Sequence, residues 1–95
     1  MATKVGLLHL NVMIGDAMTL KDKRRVVKGF KDRIAHNRNV SVAEVDRQND
    51  IRRSVLAVAM VGSDGRYLAG ALQRIANAAG GNRAWVLMES EIQIL

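Results

Sequence analysis

The sequence predicts an α+β fold, and three observations support this prediction. Hydrophobic periodicity along the chain changes in the order strand, helix, strand, strand, helix, strand. No proline and no low-complexity segment interrupts this order, and 95 residues suit a single domain over 1–95. Two βαβ halves with right-handed crossovers place both helices on the same side of a sheet. The predicted architecture is therefore ferredoxin-like, a four-stranded antiparallel sheet with two helices on one face.

The first predicted strand covers residues 4–14, where side chains alternate between two faces. One face is wholly apolar and is expected to lie under the helices; it carries Leu8, Leu10, Val12 and Ile14. The other face is mixed and is expected to be only partly covered; it carries Val5, Leu7, His9, Asn11 and Met13. This pattern indicates a central strand with one open face.

Residues 19–38 form the most strongly marked helix. Thr19 is placed to cap its N-terminus, with Asp22 three residues later as in a capping box. Its apolar stripe contains Leu20, Val27, Phe30 and Ile34, while the opposite side carries a cationic ridge of five residues, Lys21, Arg24, Arg25, Lys28 and Lys31. Lys23 falls among the apolar positions, so its ammonium must extend past the first turn or meet a carboxylate.

The rest of the chain completes the predicted order. Residues 40–61 predict a hairpin that turns at 48–50, and its second strand carries Val55, Ala57, Ala59 and Val61 on one face. A nearly neutral helix follows over 65–79, capped by Ser63 or Asp64 and ended by Gly80 and Gly81. The last strand, 85–95, is expected to carry Val86, Met88, Ile92 and Ile94 on one face and Glu89, Glu91 and Gln93 on the other.

Charge is concentrated in the first helix. The chain carries +6, and residues 21–38 hold eight of its fifteen basic side chains against two acids. Such local charge favours polyanions such as RNA, DNA or acidic protein surfaces, although a solvated helix face has the same pattern. With no cysteine and two isolated histidines, neither a disulfide nor a metal site is expected. The N-terminus has no signal-peptide pattern and no membrane-spanning run, which predicts a soluble cytoplasmic protein.

No catalytic motif, phosphate loop or cofactor signature is present, so the sequence predicts a non-enzymatic protein without a cofactor. Glu44 and Asp46 are expected to share a strand face, where they either act as an acid–base or cation pair or simply face outward and pair with nearby arginines. His9 and Asn11 indicate either a ligand contact or an interface on the open face. That face lacks the aromatic residues on which bases stack in the best-known RNA-binding use of this topology.

Several segments also resemble a known family. GLLHLNV at 6–12, TLKDKRRVVKGFKDRI at 19–34, NVSVAEVD at 39–46, LAVAMVGSD at 56–64 and ESEIQIL at 89–95 are similar to the YlxP-like family of small bacterial proteins of unknown function. The resemblance covers nearly the whole chain and implies a ferredoxin-like fold. Members are commonly encoded beside genes for transcription elongation, translation initiation and ribosome maturation, which implies a role near the ribosome or its RNA. The resemblance to this family implies no catalytic residues.

Two functional hypotheses remain. In the first, the protein binds structured RNA or a ribosomal subunit, and the cationic ridge contacts phosphates. In the second, it is a small dimeric interaction or regulatory protein whose open sheet face binds a second copy, another protein or a small ligand. The residues predicted for that interface are Val5, Leu7, His9, Asn11, Met13, Val55, Ala57 and Ala59. An apolar area of this size is rarely left uncovered.

Overall fold

A computed structural model describes residues 2–95, and its elements follow the predicted order. These are β1 (Lys4–Met13), α1 (Leu20–Ala35), β2 (Ser41–Asp46), β3 (Arg53–Gly62), α2 (Gly65–Gly80) and β4 (Val86–Ile94). The strands form one antiparallel sheet in the order β2-β3-β1-β4, with β1 and β3 at its centre. The predicted ferredoxin-like fold is therefore confirmed.

The core lies between the sheet and the helices. The face of β1 that was predicted to be covered is buried, and Leu56, Val58 and Met60 of β3 lie on the same side. Helix α2 packs closely on β1 because Gly6 has no side chain there; a Cβ at Gly6 would lie 2.7 Å from Leu72 Cδ1. The helices thus cover one face of the sheet and leave the other open, as the alternation in β1 predicted.

Phe30 of α1 and Trp85 connect the two helices. Their ring centroids lie 4.7 Å apart at an interplanar angle of 54°, a tilted arrangement of the kind that aromatic pairs favour. The indole Nε1 of Trp85 donates to the carbonyl of Ala79 in the last turn of α2, at 2.8 Å. This cluster holds the C-terminal end of α2 against the middle of α1.

Lys23 is fully buried, and it is the only charged residue on the buried face of α1, beside Val27, Phe30 and Ile34. It donates to the backbone carbonyls of Arg47, Gln48 and Arg53 at 2.7, 3.2 and 3.3 Å. It also lies 3.0 Å from a carboxylate oxygen of Glu44, which accepts a second hydrogen bond from Ser54 Oγ at 2.6 Å. The expectation that Lys23 meets a carboxylate is confirmed, and the three carbonyls complete the coordination of its charge.

Two β-bulges overturn parts of the predicted face assignments. In β2 the register shifts between Glu44, which pairs with Leu56, and Asp46, which pairs with Val55. Glu44 therefore points toward the helices and Asp46 toward the open side. The prediction that these two carboxylates share a face is wrong, because one extra residue in a strand reverses the alternation beyond it.

The second bulge lies in β4. Its register with β1 shifts between Asn11, which pairs with Glu89, and Val12, which pairs with Leu87. Leu87 therefore takes the helix-facing position, whereas Val86 and Met88 are 55% and 52% exposed. The prediction that Val86 shares a face with Ile92 and Ile94 is wrong for the same reason, since Val86 pairs with Met13 on the open side.

Neither α1 nor α2 is long and apolar enough to cross a membrane, and residues 2–95 contain no other helix with those properties.

Replacing Lys23 with Ala is expected to lower the free energy of unfolding by about 3–5 kcal/mol, because the substitution leaves Glu44 and three partly buried carbonyls without their cation. Urea denaturation of the wild type and the variant measures this change. Lys21→Ala, two residues away on the exposed side of α1, is the control and is expected to stay within about 0.5 kcal/mol of wild type. Equal midpoints for Lys23→Ala and Lys21→Ala would contradict the structural role of the buried ammonium.

Candidate nucleic-acid interface

The start of α1 is fixed by a complete capping box. Thr19 is extended, with φ −141° and ψ 163°, and its Oγ1 accepts from the backbone N–H of Asp22 at 3.1 Å. Asp22 Oδ2 accepts in return from the N–H groups of Thr19 and Met18 at 3.2 and 3.0 Å. The Met18 amide and, to a smaller extent, the Thr19 hydroxyl and amide hold the pKa of Asp22 below its usual value of 3.8. The predicted cap is confirmed, and it determines where the ridge begins.

The cationic ridge lies on the solvent side of α1. Lys21, Arg24, Arg25 and Lys28 are exposed, and Lys31 is partly buried. Lys28 forms an ion pair with Asp32 one turn later, at 2.7 Å, and this partner raises the pKa of Lys28. Within residues 2–95 the other four ridge cations have no ion pair.

A shallow depression lies beside the ridge, between α1 and the edge strand β2. It has a volume of about 370 Å³, and three basic residues and two carboxylates line it: Arg24, Lys28, Lys31, Glu44 and Asp32. Asp32 is paired with Lys28. The carboxylate of Glu44 is already occupied by Lys23 and Ser54, which reduces its repulsion of an incoming anion. The arrangement suits several phosphates spaced along the helix better than one enclosed ligand.

Charge is segregated between the two sides of the molecule. Residues 20–38 and 65–83, which hold the helices and the turns after them, contain eleven of the fifteen basic side chains and only two acids, Asp22 and Asp32. On the sheet side, Glu89 and Glu91 lie opposite Asn11 and His9 on β1. A polyanion therefore meets an attractive field on the helix side and carboxylates on the sheet side.

The residues predicted for a self-association surface do lie together on the open face of the sheet. Leu7, His9 and Asn11 of β1 pair with Ala59, Ala57 and Val55 of β3. Most of the eight are partly buried by their neighbours, and Met13 is 37% exposed.

Polar contacts interrupt this apolar face near one end. Arg53 Nη2 donates to Asn11 Oδ1 at 2.8 Å, so Asn11 has a partner within the chain. A cleft of about 180 Å³ lies beside it, lined in part by His9, Glu89 and Glu91. In the described part of the chain no three His, Cys, Asp or Glu side chains are grouped to hold a metal ion.

A second basic area, which sequence reasoning missed, lies between the helices at the end of the molecule where α1 stops and α2 starts. Arg38, Arg74 and Tyr67 line a cavity there of about 420 Å³. The sequence contained part of the information needed to predict this area, because Tyr67 and Arg74 are seven residues apart and so lie on one face of α2. The contribution of Arg38 could not be predicted from spacing, since its position depends on how the chain turns after α1.

Comparison with known proteins gives a family and a fold. A family described as "Protein of unknown function (DUF503)" matches residues 5–92. The uncharacterised protein YlxP of Bacillus subtilis (strain 168) is 32% identical over 71 residues, which cover 75% of this chain and 77% of that protein.

Similar solved structures are more distant in sequence. The de novo designed protein Foldit4 has a TM-score of 0.56 at 15% identity, with 98% of this chain and 96% of that chain covered. A C-terminal segment of the alpha subunit of aIF2 from Pyrococcus abyssi has a TM-score of 0.50 at 13% identity, with 99% of this chain and 50% of that chain covered. At such identities the likeness concerns the fold alone.

The cap of α1 is expected to make stability depend on pH through Asp22. The folded-state pKa of Asp22 lies below the unfolded value, so its contribution is fully present above about pH 4 and is lost as the pH falls through the folded pKa. Asp22→Asn is therefore expected to lower the melting temperature at pH 7, with a difference from wild type that shrinks as the solution is acidified. Asp16→Asn in the preceding loop is the control, and a pH-independent difference for Asp22→Asn would contradict the argument.

Proposed function

The chain belongs to the DUF503 family of proteins of unknown function, and for it we propose a non-catalytic role in which the cationic ridge binds the phosphates of structured RNA, free or within a ribosomal subunit. The observation that carries this proposal is the row of five cations on one exposed helix face, four of them without an ion pair in residues 2–95. The proposal puts the protein in the cytoplasm, where ribosomes work.

The energetics of the ridge support an anionic partner. Like charges three and four residues apart on a helix each cost roughly 0.2–0.5 kcal/mol, and within the ridge only Asp32 offsets one of them directly. Phosphates along the helix remove this repulsion and release their counterions, which is the main source of affinity for such contacts. A ridge with self-repulsion in the free protein is therefore suited to a polyanion.

The opposite face of the sheet is a poor alternative for RNA. Of the three aromatic side chains, Phe30 and Trp85 are buried and Tyr67 lies on α2, so no ring is available on the open face for stacking. Glu89 and Glu91 also lie along that face and repel phosphates. These features favour phosphate contacts at the ridge over base contacts at the sheet.

A non-catalytic role is supported by the positions of the two carboxylates that the sequence allowed as an acid–base pair. Glu44 points to the helices and is held by Lys23 and Ser54, whereas Asp46 lies on the open side and accepts from the N–H of Arg47 at 2.8 Å. An acid and a base that act on one substrate must both reach it, and these two point away from each other.

We also propose that the open sheet face mediates homodimerisation, because its apolar residues are contiguous. Val5, Leu7, Val55, Ala57 and Ala59 lie on the two neighbouring central strands. At its edges Val61 and Val86 are each 55% exposed. A dimer formed in this way covers the apolar centre and leaves the ridge, on the other side of the molecule, free for RNA.

Removing Arg25 and Lys28 together is expected to weaken binding to ribosomal RNA and to ribosomal subunits. It should also flatten the dependence of log affinity on log salt by roughly one unit, or a little less, for each phosphate that is no longer neutralised by a side chain. Both side chains lie in solvent, so thermal unfolding should change little. Binding is measured for wild type and the Arg25→Ala, Lys28→Ala variant across a salt series.

The matched control removes two positive charges elsewhere, with Lys4→Ala and Arg66→Ala at the starts of β1 and α2. Both variants lower the formal net charge by two units, so only a difference between them reports the position of the ridge. Equal affinities and equal slopes for wild type, ridge variant and control would reduce the ridge to a solvated helix face.

Association through the open face is expected at high micromolar concentration without any added partner. Sedimentation velocity should then show a species of twice the 10.4 kDa monomer mass. Ala57→Glu, at the centre of this face, should abolish that species, because a two-fold interface buries each new carboxylate near its copy. Gln73→Glu on α2 is the control. A strict monomer at all concentrations would contradict dimerisation.

A further inference from the structure

A cavity lies between the turn that follows α1, the end of β3 and one face of α2. It has features that phosphate binding at the ridge does not require. Its volume of about 420 Å³ lies within the range of small-molecule sites, about 300–1,000 Å³. Ala71 and Ile75 of α2 give it an apolar floor, and both are buried. Its lining includes two arginines and no carboxylate. An apolar floor with a cationic rim suits a ligand that has both a flat apolar part and an anionic part.

Tyr67 supplies a surface for the flat part. It is the third residue after the N-cap Asp64 of α2, and its side chain is 63% exposed. Phe30 and Trp85 are buried against each other, so Tyr67 is the aromatic ring that remains accessible in the chain. Stacking on such a ring tolerates any nucleobase, because every base has a π face.

Contacts within the chain position Arg38 for an anion. Arg38 Nη1 donates to the carbonyls of Arg33 and Ile34 at the end of α1, at 3.2 and 3.4 Å. These bonds fix the guanidinium and use one of its three nitrogens, which leaves its other donors for a ligand. The chain reaches this position through Asn37, which adopts a left-handed conformation with φ 57°, one that asparagine tolerates well.

Arg74 approaches the same cavity from α2. Its Nη1 lies 3.8 Å from the point that a Cβ would occupy on Gly70, so the side chain runs back along the helix toward Tyr67. Gly70 is three residues from Tyr67 and so lies one turn further along the same face of α2. Arg74 has no ion pair among residues 2–95.

An amide side chain completes the rim. Asn39 Nδ2 donates to the carbonyl of Val61 at 3.0 Å, which holds the side chain at the cavity and leaves its Oδ1 as an acceptor. Amide groups of this kind hydrogen-bond to the edges of bases. The lining therefore offers a ring for stacking, an amide for a base edge and two guanidinium groups for a phosphate.

We propose that this cavity binds a nucleotide, with the base on Tyr67 and the phosphate between Arg38 and Arg74. A free nucleotide and an unpaired nucleotide of an RNA present the same chemistry to these residues. The site lies away from the five ridge residues, so it does not depend on the ridge function proposed above.

Nuclear magnetic resonance titrations with adenosine 5′-monophosphate, adenosine and inorganic phosphate test the site. The monophosphate is expected to shift the backbone amides of Asn39, Tyr67 and Arg74 and to bind at least about fivefold more tightly than adenosine or phosphate, since each of those can make only one half of the interactions. Shifts confined to the ridge, equal affinities for monophosphate and phosphate, or no shifts at all would each overturn the proposal.

Substitutions then assign the contacts. Arg74→Ala is expected to weaken monophosphate binding roughly tenfold, the usual effect of removing hydrogen bonds to a charged group, whereas Arg66→Ala, which removes the same charge from the same helix, should leave it unchanged. Tyr67→Ala should weaken binding about fivefold and Tyr67→Phe should retain it, because the ring does the stacking. If Arg74→Ala and Arg66→Ala have equal effects, the site is only diffuse charge and the proposal fails.

A single-stranded hexanucleotide distinguishes the two sources of the ligand. If RNA is the source, the hexanucleotide binds more tightly than the monophosphate and binds more weakly to the Arg74→Ala variant; if a free nucleotide is the source, it has no advantage over the monophosphate. The Arg25→Ala, Lys28→Ala variant should bind the monophosphate as the wild type does. A failure of the ridge function would therefore leave this result intact, and an absence of monophosphate binding in the ridge variant would overturn the separate site.

Discussion

The position of α1 depends on the buried ammonium of Lys23. A lysine in a protein interior is strongly unfavourable unless oxygen atoms replace its water, and here three carbonyls and the Glu44 carboxylate do so. Two of the carbonyls belong to Arg47 and Gln48 in the β2–β3 turn, where Arg47 adopts a left-handed φ of 63°. The turn and the helix therefore hold each other in place, since the oxygens of the turn satisfy the charge that the helix carries.

The orientation of the ridge follows from this contact. Because Lys23 points inward, helical geometry directs the ridge residues, on the opposite side of α1, toward solvent. Phe30, seven residues later, packs on Trp85 and prevents rotation of the second half of the helix. A charge buried near one end of α1 and an aromatic pair near its middle thus place the five ridge cations on a single exposed surface.

The two sides of the molecule differ in chemistry because the fold leaves one face of the sheet uncovered. The helix side concentrates basic residues, both on the ridge and around the cavity at Arg38 and Arg74. The sheet side combines an apolar centre with carboxylates along β4. The two proposed contacts, with a polyanion and with a second copy, therefore lie on opposite sides of one small domain and do not compete.

Much of this protein is determined by local sequence. Three short-range patterns gave correct predictions. The alternation in β1 predicted a strand and its two faces, the Thr19–Asp22 cap predicted where α1 begins, and the helical spacing predicted which side of α1 is exposed. The two bulges were not predictable in this way, because an extra residue reverses the faces of a strand only through its pairing with a neighbour. The carbonyls that surround Lys23 could not be predicted either, because the pattern of side chains along the sequence does not show which backbone oxygens the tertiary structure brings near them. The same holds for the cavity that brings Asn39 and Arg38 to Tyr67 and Arg74, which are at least 28 residues apart in the chain and meet because α1 ends where α2 begins.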